Sequence, residues 1–423
     1  MNSRVVITGL GVIAPNGCGL DDFSAAIKNG VSGIRFDPRL RDLLFSCQLA
    51  GEPQVSDELI NEGFSALELR NFNSTGILYG VLAGIEAWKH AGLPIDLTEP
   101  DYDSGSVFGA GTSGIDKFRE SIYKLDQLQM RKLGSTVVIQ TMLSGITAYL
   151  GGKLGMGNQV TTNSSACITG AESILMGFDR IRTGRAKRML CGSTSDSGPY
   201  IWAGFDAMKV CTYKFNDRPA EGSRPMSASA SGFVPGAGSG ALLLESLDSA
   251  LDRGVPIYAE VLGGHINSGG QRGNGSITAP NGQAVQRCIQ QALKETGVSA
   301  AEVDVINAHL TATSKDPDEI FNWSAALDRK GANFPYVSAL KSMTGHCLSG
   351  SGSIECVSAV LQLYEDFLFP NLNCEDLHPR ITDCIDQQSI PQKLIRKELN
   401  ILAKASFGFG DINACILFKK YKG

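Results

Sequence analysis

The sequence predicts an α/β protein in which helices cover the faces of extended sheets. Short β-branched strands alternate with amphipathic helical segments along the whole chain. Many of the 49 glycines fall at element ends, where strand–helix turns need backbone freedom. The order strand, glycine turn, strand, reactive helix, strand also runs through twice, on either side of Arg253-Gly254-Val255-Pro256. That repetition suggests an internal duplication, with residues 1–255 and 256–423 as its halves, although sequence identity between them is not obvious.

Met1–Gly9 begins a strand at once, with Arg4–Gly9 read as buried, and Asp21–Lys28 and Thr75–Ala91 have helical periodicity. Gly105–Gly109 reads as a short strand, and Leu133–Leu154 contains helical material. Gln159–Thr162 is a strand feeding a helix, and Ala186–Ser193 is another strand. Phe233–Glu245 is glycine-rich and then strongly apolar. In the second half, strands are expected over Ile257–Ile266, Val303–Ala308, Tyr336–Leu340, Leu402–Phe407 and Asn413–Phe418. Helices are expected over Gly282–Glu295 and Gly352–Asp366. Segment 117–135, the most polar stretch, reads as an exposed excursion.

Several function classes are excluded or disfavoured. A net charge of −5 argues against nucleic acid as a partner. Eleven scattered cysteines without a C-x-x-C pair form neither a zinc site nor a disulfide framework. Cys191, Cys356 and Cys415 sit in apolar runs and are expected to be buried thiols. No stretch approaches the roughly 18 apolar residues of a membrane span. The start of the chain lacks a signal peptide's apolar region, so a cytoplasmic location is expected. There is no Walker loop, dinucleotide fingerprint or metal-ligand spacing.

The chemistry centres on Cys167. Thr161-Thr162-Asn163-Ser164-Ser165-Ala166-Cys167-Ile168-Thr169-Gly170 runs straight into a helix marked by Ala171, Ile174, Leu175, Phe178 and Ile181, with Gly184 as a stop. A thiol at a helix N-terminus is biased toward thiolate, the nucleophilic form. Such a cysteine is more often a small core residue, but two histidines in tight Gly- and Thr-rich settings change the balance. They are His309 in Asn307-Ala308-His309-Leu310-Thr311-Ala312-Thr313 and His346 in Lys341-Ser342-Met343-Thr344-Gly345-His346. One cysteine and two separated histidines suggest acyl transfer through a thioester. His90, His265 and His378 lack such contexts and read as structural or exposed.

These motifs, with Val5-Val6-Ile7-Thr8-Gly9-Leu10-Gly11-Val12 at the start and Ser406-Phe407-Gly408-Phe409-Gly410 near the end, resemble the β-ketoacyl-acyl carrier protein synthases of the thiolase superfamily. Synthase II and the catalytic subunits of type II polyketide systems look most similar. The resemblance implies duplicated βαβαβ halves forming a five-layered αβαβα core. It implies Cys167 as the acyl-accepting nucleophile, with His309 and His346 supporting decarboxylation of a malonyl thioester. Lys341 and Glu355 match a buried pair that holds the histidine region. Backbone N–H groups of Cys167 and Phe409 would form an oxyanion hole, with the Phe409 side chain as a gate. Thr311 and Thr313 match threonines that bind the pantetheine arm, Phe205 and Phe407 are implied as further substrate-binding residues, and Thr112 matches a position at the end of the acyl pocket. A smaller polar residue at Thr112 would admit a longer or more unsaturated chain. Arg70 and Lys209 match positions that face the acidic carrier protein.

No resident cofactor or metal is implied, since phosphopantetheine comes with the acyl carrier protein. The expected assembly is a homodimer, or a heterodimer with a chain-length-factor-like paralogue. A Claisen condensation fits these residue types, because loss of CO2 makes the carbanion without a strong base. Departures from the usual pattern are Leu310 for a glycine, Asp411 and Ile412 after the gating phenylalanine, and Arg224-Pro225-Met226-Ser227 followed by Gly232-Phe233. They leave the catalytic side chains intact and favour a specialised pathway over a housekeeping one. The alternatives are a non-catalytic chain-length factor and a thiolase or coenzyme A-dependent condensing enzyme, of which the degradative thiolases need a second cysteine near the C-terminus.

Overall fold

The computed structural model describes residues 3–95 and 97–423; Met1 and Asn2, part of the expected opening stretch, lie outside them. The first half contributes strands β1 (Val5–Ala14), β2 (Ser104–Ala110), β3 (Val160–Thr161), β4 (Arg188–Ser195) and β5 (Gly238–Ser246). The second contributes β6 (Ala259–Ser268), β7 (Val305–Asn307), β8 (Tyr336–Ser338), β9 (Ile401–Gly408) and β10 (Ile412–Lys419). Their spatial order is β8-β7-β9-β10-β6-β1-β5-β4-β2-β3. Adding five to each strand number of the first half reproduces the second. The sense of pairing repeats as well. β2 is parallel to β3 and β4, as β7 is to β8 and β9. The β4–β5, β5–β1, β9–β10 and β10–β6 pairs are all antiparallel. The halves join where Val5, Val6 and Ile7 of β1 pair antiparallel with Val261, Glu260 and Ala259 of β6.

Helix α1 (Thr75–His90) covers the outer face of the first half. Helix α2 (Ile115–Asp126) lies in the excursion between β2 and β3, and α3 (Thr169–Arg182) follows β3. In the second half, α4 (Gly282–Thr296) and α5 (Asp316–Leu327) pack together on the outer face, and α6 (Ser351–Glu365) follows β8. Helices α3 and α6 touch each other and strands of both halves, so they form the middle layer of an αβαβα stack. Three apolar clusters match this layering: one under α1, one around α3 and α6, and one under α4 and α5. The stripe expected on α3 is buried, and α6 is buried almost all round between the two sheets, with Ser353, Glu355, Ser358 and Gln362 among its buried residues.

The excursion differs from expectation in two ways. Lys117 is buried, its Nζ donating to Asn71 O at 2.9 Å and Glu120 Oε2 at 3.1 Å. The exposed face of this segment also carries apolar Phe118, Ile122, Leu125 and Met130. Its many charges masked an amphipathic helix in the sequence.

The N-termini of α3 and α6 cross closely because Gly170 and Gly352 have no side chains. A Cβ on Gly170 would collide with Ser353 N and Ser193 Oγ, and one on Gly352 would press on Ala171 N. Beside this crossing Ser193 Oγ and Ser353 Oγ are 2.7 Å apart. Gly170→Ala is expected to cost about 2 kcal/mol or more of stability through overpacking and to slow acylation of Cys167, read by chemical denaturation and by acyl transfer from a thioester.

Candidate active site

Cys167 sits in a 3₁₀ turn (Ala166–Ile168) directly ahead of α3. Ala166 holds a left-handed backbone with φ +46°, a strained conformation for a side-chain-bearing residue. The turn is braced from α3. Glu172 Oε2 accepts from Asn163 Nδ2 at 2.8 Å and from Ser165 Oγ, while Thr169 Oγ1 accepts from Ser165 N at 2.9 Å. The equivalent connection in the second half, between β8 and α6, carries His346. Its main chain is pinned to the 234–236 segment by His346 N donating to Val234 O and Gly236 N donating to His346 O.

His309 lies just beyond β7, on a loop whose N–H groups are gathered by two buried carboxylates of α5. Glu319 accepts from His309 N at 2.7 Å and Leu310 N at 2.8 Å. Asp316 accepts from Thr311, Ala312 and Thr313 N–H and from Met226 N. Burial raises both acids, Asp316 to about 6 and Glu319 to about 7, against these same hydrogen bonds.

The three side chains converge: Cys167 Sγ and a nitrogen of each histidine lie within 4.8 Å of one another. His346 Nε2 is 3.2 Å from Cys167 Sγ, and the imidazole centroids are 5.5 Å apart and nearly perpendicular. The partners on the far ring nitrogens assign the tautomers. His346 Nδ1 accepts from Leu348 N at 3.2 Å and faces Ser351 Oγ at 2.9 Å. His309 Nδ1 faces Lys341 Nζ at 3.3 Å, and an ammonium can only donate. Each ring therefore carries its proton on Nε2. Burial, then the Lys341 and Lys404 charges, hold both histidines well below the ordinary 6.5, so both are neutral.

The expected thiolate bias at Cys167 is not met at rest. Burial pushes the thiol up to about 11, outweighing the Lys341 charge and the N–H groups of Phe409 and Cys167 that point at the sulfur. The helix dipole acts, but the sulfur lies deep at the wall of a cavity, and desolvation there outweighs the dipole.

That cavity, of about 1020 Å³, is lined by Cys167, His309 and His346, and by expected residues Thr311, Thr313, Phe205, Phe407, Phe409 and Lys209. Phe409, Phe205, Phe233 and His346 form a run of neighbouring rings, with centroids 5.2 to 6.2 Å apart. Two residues expected to meet substrate or carrier are not part of it. Thr112 is half-buried on the loop after β2, and Arg70 is exposed at the end of the short helix Ala66–Leu69. Lys341 and Glu355 are buried and paired; Lys341 Nζ also donates to His309 O at 2.6 Å.

The sequence reading missed Asp316, Glu319, Ser351 and Lys404. Acids at Asp316-Pro317-Asp318-Glu319 mark a helix start, but not that they reach back to the histidine loop. The departures find places outside the triad. Leu310 and Met226 fill one apolar cluster. Asp411, with φ +61°, accepts from Gln271 N at 2.9 Å and Asn281 N at 2.7 Å, tying the Phe409 turn to a loop of the cavity wall.

One cysteine and two histidines within reach could in principle bind a soft divalent ion. A ligating imidazole normally donates its far N–H to an acceptor. Here both far nitrogens accept, which leaves Nε2 protonated and without a lone pair for metal.

This fold and site define a thiolase-type condensing enzyme. Residues 2–250 match the N-terminal and residues 258–375 the C-terminal domain of beta-ketoacyl synthase. A 3-oxoacyl-(acyl-carrier-protein) synthase 2 from Synechocystis is 34% identical over 430 residues, covering 99% of this chain and 98% of that one. Among solved structures, the ishigamide ketosynthase/chain length factor is similar with a TM-score of 0.87 and 27% identity, each chain fully covered. A type II polyketide acyl-carrier protein in complex with its hexaketide-bound ketosynthase gives 0.87 and 25%, again with full coverage of both. The chain belongs to the β-ketoacyl synthase family.

Because the resting thiol is neutral, alkylation of Cys167 by iodoacetamide is expected to accelerate about tenfold per pH unit between pH 7 and 9. The check is mass spectrometry of the Cys167 peptide; a plateau by pH 8 would show a preformed thiolate.

Proposed function

We propose that this protein catalyses decarboxylative Claisen condensation of an acyl thioester on Cys167 with malonyl-acyl carrier protein, giving β-ketoacyl-acyl carrier protein. The observation that carries this reading is the meeting of one thiol with two neutral imidazoles, each presenting Nε2–H to the same cavity.

In the first half-reaction Sγ attacks the carbonyl of the incoming acyl thioester. The oxyanion that forms is stabilised by the N–H groups of Cys167 and Phe409. The bond to the pantetheine sulfur breaks, and the thiol proton leaves with that sulfur. His346 Nε2–H donates to Sγ and stabilises the thiolate formed as the proton leaves, before the carbon–sulfur bond is made.

In the second half-reaction the malonyl carboxylate carbon departs as CO2, and its bonding pair becomes an enolate. The Nε2–H groups of His309 and His346 donate to the enolate oxygen. Preorganised donors of this kind contribute about 3 kcal/mol each. The enolate carbon attacks the thioester carbonyl, the bond to Sγ breaks, and the sulfur regains a proton from water. No step needs a metal or nucleotide, and the phosphopantetheine is the carrier's.

Lys209, Lys315 and Arg380 at the cavity wall would attract the acidic carrier. The apolar face of α2 and the similarity to the ishigamide ketosynthase/chain length factor support a dimer, with a second copy or a paralogue. No helix among the described residues is long and apolar enough to cross a membrane. A specialised type II polyketide or fatty-acid-like pathway is favoured by Leu310, Asp411 and Ile412. The chain-length-factor alternative is weakened by the intact triad. A degradative thiolase needs a second cysteine at the site, yet Cys415 is buried in the outer core and Cys167 alone among the described cysteines lines the cavity.

Cys167→Ala should abolish acylation, while His309→Ala should leave acylation within about twofold and slow condensation about 100-fold or more. Intact-protein mass spectrometry and labelled CO2 release measure the two steps separately. Loss of both steps in His309→Ala would contradict the division of roles.

A further inference from the structure

Lys404 takes no part in the steps above, yet it stands where a charge is costly. It lies in the middle of β9 and is fully buried, while its neighbours Ala403, Ala405 and Phe407 belong to the outer core. Burying an ammonium costs several kcal/mol unless it is well paired.

Its partners lead back to the site. Lys404 Nζ is 2.8 Å from Glu355 Oε2, and it donates to Ser406 Oγ at 3.0 Å and to Ala405 O. Glu355 Oε1 is held by Lys341, whose Nζ also donates to His309 O and faces His309 Nδ1. The four groups form one buried line from β9 through α6 to the histidine loop. Among the described residues Glu355 Oε2 accepts no hydrogen bond, and the Lys404 ammonium at 2.8 Å is its one ion-pair partner. A lysine head is a compact charge with rotatable donors, so its position follows the nearest carboxylate. Were Oε2 left bare, Lys341 would move to bridge both oxygens and would draw away from His309 Nδ1. His309 would then be free to adopt the other tautomer, which presents no N–H to the cavity.

We infer that Lys404 is a positioning residue for condensation: by occupying the second oxygen of Glu355 it keeps Lys341 on His309 and so keeps the His309 Nε2–H aimed at the malonyl thioester. This rests on the role given to His309 above.

The test compares full-length wild type, Lys404→Met, Glu355→Gln, the double variant and His309→Ala. Acylation of Cys167 from acyl carrier protein and condensation with malonyl carrier protein are measured separately. Lys404→Met is expected to lower kcat for condensation by about 10- to 100-fold, with KM for the malonyl carrier and the acylation rate within about twofold. In the Glu355→Gln background, adding Lys404→Met should change kcat by less than about twofold, because the lysine acts through that carboxylate.

Equal loss of both half-reactions, full additivity in the double variant, or unchanged kcat with only a lower melting temperature would each overturn the inference. If Lys404→Met does not fold, Ser406→Ala decides. It removes one acceptor from the ammonium and should lower condensation kcat a few-fold without affecting acylation; an unchanged kcat overturns the inference. His309→Ala separates the two failures. Wild-type condensation there would remove the His309 role and this inference with it. A slow His309→Ala beside a normal Lys404→Met would remove this inference alone.

Discussion

The ammonium of Lys341 facing His309 Nδ1 is the contact on which the chemistry of the site depends. A group that can only donate leaves the imidazole no choice of tautomer, and a positive charge beside it opposes a second proton. The backbone N–H of Leu348 does the same for His346. Both rings thus become neutral donors aimed at one point. An enolate formed by loss of CO2 needs such donors, and it needs no strong base. The same arrangement explains why a site with zinc-like residue types is a poor zinc site: the lone pairs face the protein and the protons face the cavity.

The meeting of distant residues follows from the duplication. In each half a strand edge leads through a short turn into the helix of the middle layer. One turn carries the thiol and the other carries His346. Because α3 and α6 cross at their first turns, over Gly170 and Gly352, the two turns face each other. His309 arrives from the end of β7, and α5 holds its loop through Asp316 and Glu319. Catalytic geometry here is a consequence of helix packing, with loops that are short and tightly hydrogen-bonded.

Much of this was legible in the sequence. Strand and helix alternation and the motifs around Cys167, His309 and His346 are local patterns set by periodicity and turn chemistry. What escaped was set by burial. The thiolate bias at Cys167 was inferred from the helix dipole alone, whereas desolvation of the sulfur outweighs it. Lys404 was visible as a charge inside an apolar strand, but its partner lies on α6, nearly fifty residues away in the chain. Thr112 and Arg70 were placed by resemblance, and neither lines the cavity of the single chain.

The protonation of the two histidines is the most direct measure of whether this site can act as described. Nitrogen-15 chemical shifts of selectively labelled protein at pH 7 report tautomer and charge for each ring, with single His→Gln variants giving the assignment. Both His309 and His346 should be neutral, with the proton on Nε2 and an unprotonated Nδ1. An imidazolium at either position, or a proton on His309 Nδ1, would contradict a site built around two neutral donors.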